Sequence, residues 1–161
     1  MKHTPEDRRV LERMAPGALS KDGFLGTDAR PLADIIAADR RRLAELGVSK
    51  EAVADRLAEV LEKAQQGLGC TVQVGDHLEA VYRESMGRIP SPWPGEGVFQ
   101  KGEVELVDTR DDARVRFTPL SVHLIRAHIF FQGRGAVYRL EPEKLARMLD
   151  LMETQEESDG S

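Results

Sequence analysis

Residues 113–140, ARVRFTPLSVHLIRAHIFFQGRGAVYRL, constrain the fold more than any other stretch of the chain. Val115 and Phe117 alternate with Arg114 and Arg116, the period of two that marks a half-buried strand, and Thr118-Pro119 then changes the rule. Thr118 offers a side-chain oxygen for a helix cap, and Pro119 suits the first helical turn, where its missing N–H costs nothing. From Leu120 to Phe131, at about 100° per residue, Leu120, Leu124, Ala127 and Phe131 form one apolar arc while Val122, Ile125 and Ile129 form a second, nearly opposite. A helix apolar on two sides must lie between two layers, so this one is expected at the buried centre of the fold.

Upstream, Thr4-Pro5-Glu6-Asp7 supplies a cap, a first-turn proline and acids at the positive helix end, predicting a helix to Met14 that Pro16-Gly17 stops and that buries Val10, Leu11 and Met14. Leu32, Ile35, Ile36, Leu43 and Leu46 form the stripe of a second helix, starting near Asp28 or Arg30 and ending at Gly47. Ser49 caps a third, whose Val53, Leu57, Val60, Leu61 and Ala64 share one face up to Gly67. So short a connection predicts an antiparallel helical hairpin. The mixed charges on its outer faces read as a solvated surface.

From Cys70 the period becomes two. A three-residue loop Gly75-Asp76-His77 pairs Val74 with Leu78, Val72 with Ala80 and Cys70 with Tyr82, whereas a two-residue loop would set Val72 against Glu79. The same reasoning gives a four-residue loop from Thr109 to Asp112, pairing Leu106 with Val115 and Val104 with Phe117. Between these hairpins the prolines of residues 88–97, RIPSPWPGEG, enforce an extended path and forbid a central strand. Beyond the central helix, Gln132-Gly133-Arg134-Gly135 turns the chain, residues 136–140 are expected to be extended, and Pro142 opens a last helix docked through Leu145, Met148, Leu149 and Met152.

The fold class expected is therefore α+β: an N-terminal helical hairpin, a small antiparallel sheet of about four strands, a buried central helix and a C-terminal helix. Residues 1–152 form one domain, helical over 1–68 and sheet plus helices over 69–152, and residues 153–161 form a disordered acidic tail. Four of the 28 acidic residues lie in that tail, leaving 24 against 23 basic residues in the body. So balanced a body gives no electrostatic reason to expect nucleic-acid binding. A single cysteine, Cys70, precludes an intramolecular disulfide and a cysteine-rich zinc cage, and at a strand start it is expected to be packed. The charged start MKHTPEDRRV is no signal peptide and no run is apolar enough for a membrane span, so a cytoplasmic protein without a membrane partner is expected.

Four residues stand out as candidates for binding a ligand or partner: Trp93, His123, Arg126 and His128. The histidines, five residues apart, are rotated by about 140° on an ideal helix, whereas ligands sharing one helical face are spaced by three or four. They are therefore expected to be hydrogen-bonded boundary residues, with no metal site and no cofactor. If the histidines are neutral, Arg126 is the only charged side chain between Arg116 and Arg134, and in so apolar a helix it needs either a carboxylate partner or an anionic ligand. Trp93, between Pro92 and Pro94, is held stiffly and serves as a plug over the sheet or as a recognition element. The segment 23–28, GFLGTD, lacks the ending of a phosphate loop, and its Asp28 would repel an anion. No GxSxG, CxxC or nucleophilic Cys-His arrangement occurs, so no catalytic residue is assigned.

GFLGTD at 23–28, SPWP at 91–94 and TPLSVHLIRAHIFFQGRG at 118–135 together resemble a group of short, uncharacterised bacterial cytosolic proteins. The resemblance covers most of the chain short of the acidic tail and implies no activity, cofactor or catalytic residue. The function expected is a noncatalytic binding or regulatory module engaging a protein partner or a second copy of itself. The alternative is a small-molecule enzyme or ligand sensor with a pocket near His123, Arg126 and His128.

Overall fold

The computed structural model describes residues 4–152. The expected acidic tail, 153–161, lies outside the described residues. Three helices come first: α1 (Pro5–Met14), α2 (Leu32–Leu46) and α3 (Lys50–Gln66). Thr4 accepts from the Asp7 N–H while the Asp7 carboxylate accepts from the Thr4 N–H, closing α1 with a capping box. Gly47 ends α2 in the left-handed region, and the Ser49 hydroxyl caps α3. The two helices are joined by the short link expected, but each packs mainly elsewhere: α3 on the central helix and the sheet, α2 on the last helix.

Six strands follow: β1 (Val72–Gln73), β2 (Leu78–Arg83), β3 (Arg88–Pro90), β4 (Val98–Gln100), β5 (Glu103–Asp108) and β6 (Ala113–Phe117). The four-stranded sheet is antiparallel in the order β1-β2-β5-β6. Val72 faces Ala80, and the Val74 N–H bonds the Leu78 carbonyl at 2.8 Å. Leu106 faces Val115, and Val104 faces Phe117, so both loop lengths are as alternation predicts. Cys70 falls outside β1 and is exposed, because that strand begins only at Val72. The proline-rich stretch stays out of this sheet, yet its arms, β3 and β4, pair into a two-stranded hairpin around the loop 91–97.

The central helix, α4 (Pro119–His128), starts on a Thr118–Ser121 capping box and lies between two apolar clusters. Leu120 and Leu124 face α1, Phe24, Ile35 and Ile89; Val122 and Ile125 face the sheet and α3. It ends earlier than its apolar pattern predicts, because Ile129 adopts φ 53°, a conformation strained for a β-branched residue, and turns the chain away. Phe130 and Phe131 then enter opposite clusters.

Residues 136–140 form no strand, contrary to the extended segment expected, and turn at 137–138; they lead to α5 (Pro142–Met148), whose Leu145 and Met148 are buried. The segment 23–28 interlocks with 132–136. The Gly133 N–H bonds the Phe24 carbonyl at 2.9 Å, the Thr27 N–H bonds the Arg134 carbonyl at 2.9 Å, and Asp28 accepts from the Arg134 N–H and the Arg30 guanidinium. A Cβ on Gly133 would lie 2.3 Å from the Leu25 carbonyl oxygen, so only glycine admits this approach. Among the described residues no helix is long and apolar enough to cross a membrane.

Candidate metal centre

The loop 91–97 is fixed before it reaches α4. The Ser91 hydroxyl accepts from the Trp93 N–H at 3.1 Å and donates to Glu96 Oε1 at 2.8 Å. From the last turn of α1, the Arg13 guanidinium donates to the carbonyls of Pro92 and Ser91. Gly95 and Gly97, with φ of 83° and 91°, flank Glu96 and permit the bend that carries its carboxylate to the helix.

There both histidines meet it. His123 Nε2 lies 2.9 Å from Glu96 Oε1, and His128 Nε2 lies 2.8 Å from Oε2 and 3.0 Å from Oε1. One ligand atom from each of Glu96, His123 and His128 falls within 4.8 Å of the other two, and about three-quarters of each side chain is buried. The expectation that a spacing of five keeps the imidazoles from a common site is thus corrected. They flank the same Leu120/Leu124/Ala127 arc from opposite sides, with Leu124 and Ala127 between them on the helix. Long imidazole arms and an acceptor arriving from outside the helix close the remaining angle.

Burial works against a charge on Glu96, but hydrogen bonds from His123, Ser91 and His128 outweigh it and hold the carboxyl below its ordinary range. An ionised carboxylate only accepts, so in this arrangement both rings present Nε2–H to it. A divalent cation would take the place of those two protons. With metal–ligand bonds of about 2.0–2.2 Å, tetrahedral ligand atoms sit roughly 3.3–3.6 Å apart, about half an ångström or more beyond the spacing that Glu96 keeps from each histidine.

Trp93 lies flat on His128, with ring centroids 3.7 Å apart and planes at 10°, and meets the edge of Phe130 at 5.6 Å. It covers the helix end and not the sheet. Phe99 of β4 packs against His123 at 4.8 Å. Arg126 is not part of this group. It points to α3, where its guanidinium reaches Asp55 at 2.7 Å in a half-exposed pair, so the carboxylate-partner reading holds without burial. A nearly buried arginine is Arg139, paired with Asp39.

Reasoning from sequence missed Glu96. Its trace there was the Gly95-Glu96-Gly97 triplet, an acid between two residues free to adopt positive φ, with nothing to say which surface it would reach. In comparisons with known proteins, the chain matches no family model, no curated protein and no solved structure.

Proposed function

We propose that this protein is a noncatalytic binding module for a first-row divalent cation such as zinc, held by Glu96, His123 and His128. The observation that supports the reading is the convergence of two imidazoles and one carboxylate, from a loop and a helix, on a common point. Nitrogen and oxygen donors in this combination suit zinc and its transition-metal neighbours better than calcium or magnesium, which prefer oxygen shells. Occupancy would pin the Pro-Trp-Pro loop to the end of α4, a regulatory consequence that needs no chemistry at the metal. The groups packed on the ligands are Trp93, Phe99 and Ser91, none of them an acid or base at neutral pH. The enzyme or sensor alternative built jointly on His123, Arg126 and His128 loses support, because Arg126 faces α3.

Titration of chelator-treated protein with zinc, followed by calorimetry and by Trp93 fluorescence, tests the reading. One zinc per chain is expected, with affinity weakened roughly tenfold or more in each of Glu96→Gln, His123→Ala and His128→Ala. Binding that is absent, or indifferent to all three substitutions, overturns it.

A further inference from the structure

A separate cavity of about 270 Å³ opens beside the β3–β4 hairpin, between the loop 20–24, the start of α4 and the segment 132–138. Phe24, Ile89 and Leu120, all buried, contribute apolar walls. Gln132 also lines it and carries the argument. Its backbone sits at φ 70°, where glycine is the low-cost residue, so a side chain is retained there against a conformational penalty. That side chain is not used by the fold. The residue is only 4 % exposed, its backbone carbonyl accepts from Arg139, and its carboxamide takes no hydrogen bond from any described residue. It is nonetheless not sealed off in the protein interior, since among the described residues no buried side-chain nitrogen or oxygen lacks a partner. A nearly buried amide, unpaired and bordering a cavity, is poised to bond whatever enters.

The rim gives the sign of the ligand. Lys21 and Lys101 contribute two ammonium groups against the single carboxylate of Asp22, all three on exposed residues bordering the opening. We infer that this cavity binds a small organic monocarboxylate, with its apolar body against Phe24, Ile89 and Leu120 and its charged end bonded by the Gln132 amide under the two lysines. A hydrogen bond from an amide to a carboxylate is charge-assisted, and the apolar walls receive the ligand's body. The site shares no residue with the metal centre, so either can fail without the other.

Ligand-observed NMR and calorimetry on the full chain, with a chelator present throughout, provide the test. Benzoate and hexanoate are the probes; benzylammonium, of similar shape and opposite charge, is the control. Saturable binding of either acid in the millimolar range or tighter is expected, with benzylammonium at least about tenfold weaker. Gln132→Leu, close in shape and lacking the amide, should weaken the acid by roughly tenfold or more. Val137, 44 % exposed at the cavity edge, lies outside the buried core, so Val137→Trp removes no core side chain, and that variant should abolish binding by filling the mouth even if Gln132→Leu does not fold. The proposal is overturned if neither acid binds saturably, if benzylammonium binds as well, or if binding survives Val137→Trp unchanged.

Discussion

Asp39 and Arg139 grip each other through two hydrogen bonds of 2.6 and 3.0 Å, with 8 % and 9 % of their side chains exposed. The pair joins the middle of α2 to the segment leading into α5. The same guanidinium bonds the Gln132 carbonyl at 2.9 Å and Glu141 at 3.1 Å. Burial opposes its charge, but Asp39 and Glu141 outweigh that and raise its pKa above the usual arginine value. Asp39→Ala leaves this nearly buried guanidinium with only the exposed Glu141 and a backbone carbonyl, so it should destabilise the protein by about 3 kcal/mol in urea unfolding. The double change Asp39→Leu with Arg139→Met should recover part of that loss, because two apolar side chains leave no buried charge behind. A single substitution without effect would show that the pair does not hold α2 in place.

Stability should fall in acid through Asp28 and Asp108. The side-chain bond from Arg30 holds the Asp28 carboxyl far below its ordinary range against the opposing effect of burial, and Arg110 lowers Asp108 in the same way. A carboxyl whose folded pKa is depressed contributes stability that is complete above its unfolded pKa, near 4, and is lost as pH falls toward the folded value. Urea midpoints measured from pH 6 down to pH 2 should therefore decline below about pH 4. Asp28→Asn should flatten that decline more than Asp108→Asn, since Arg110 is half exposed and its attraction is screened. Parallel curves for wild type and Asp28→Asn would contradict the assignment.

Leu124, fully buried on the face of α4 that meets α1 and Ile35, is the side chain whose truncation should cost most on that helix. Leu124→Ala is expected to lose about 3–4 kcal/mol, the transfer free energy together with the cavity left between packed layers. An unchanged urea midpoint would mean that the helix is not clamped on both sides.

Where one face of an element is buried, its periodicity carried the structure. The pairings Val72–Ala80 and Leu106–Val115 follow from alternation because a slip of one residue would turn Glu79 or Arg114 inward. The early end of α4 was hidden, since isoleucine disfavours the left-handed region and only tertiary packing of Phe130 and Phe131 explains its use at 129. Arg139 was overlooked for a related reason: local sequence does not reveal that a carboxylate one hundred positions earlier, on α2, will meet it. The candidate metal ligands were half legible. The histidines are conspicuous on an apolar helix, whereas Glu96 acquires its meaning from a hairpin whose pairing no alternating run announces.

The interlock between residues 23–28 and 132–136 bears on how the molecule is made. Its hydrogen bonds, like the Asp39–Arg139 bridge, span roughly a hundred positions, so forming them closes a long loop and must await residues 133–139. As the polypeptide leaves the ribosome, α1 and α2 emerge well before Leu120, Leu124 and Arg139 exist to receive them, with Val10, Met14 and Ile35 facing water in the meantime. Residues 5–46 are thus made before the segments they dock on and are among the last to lock.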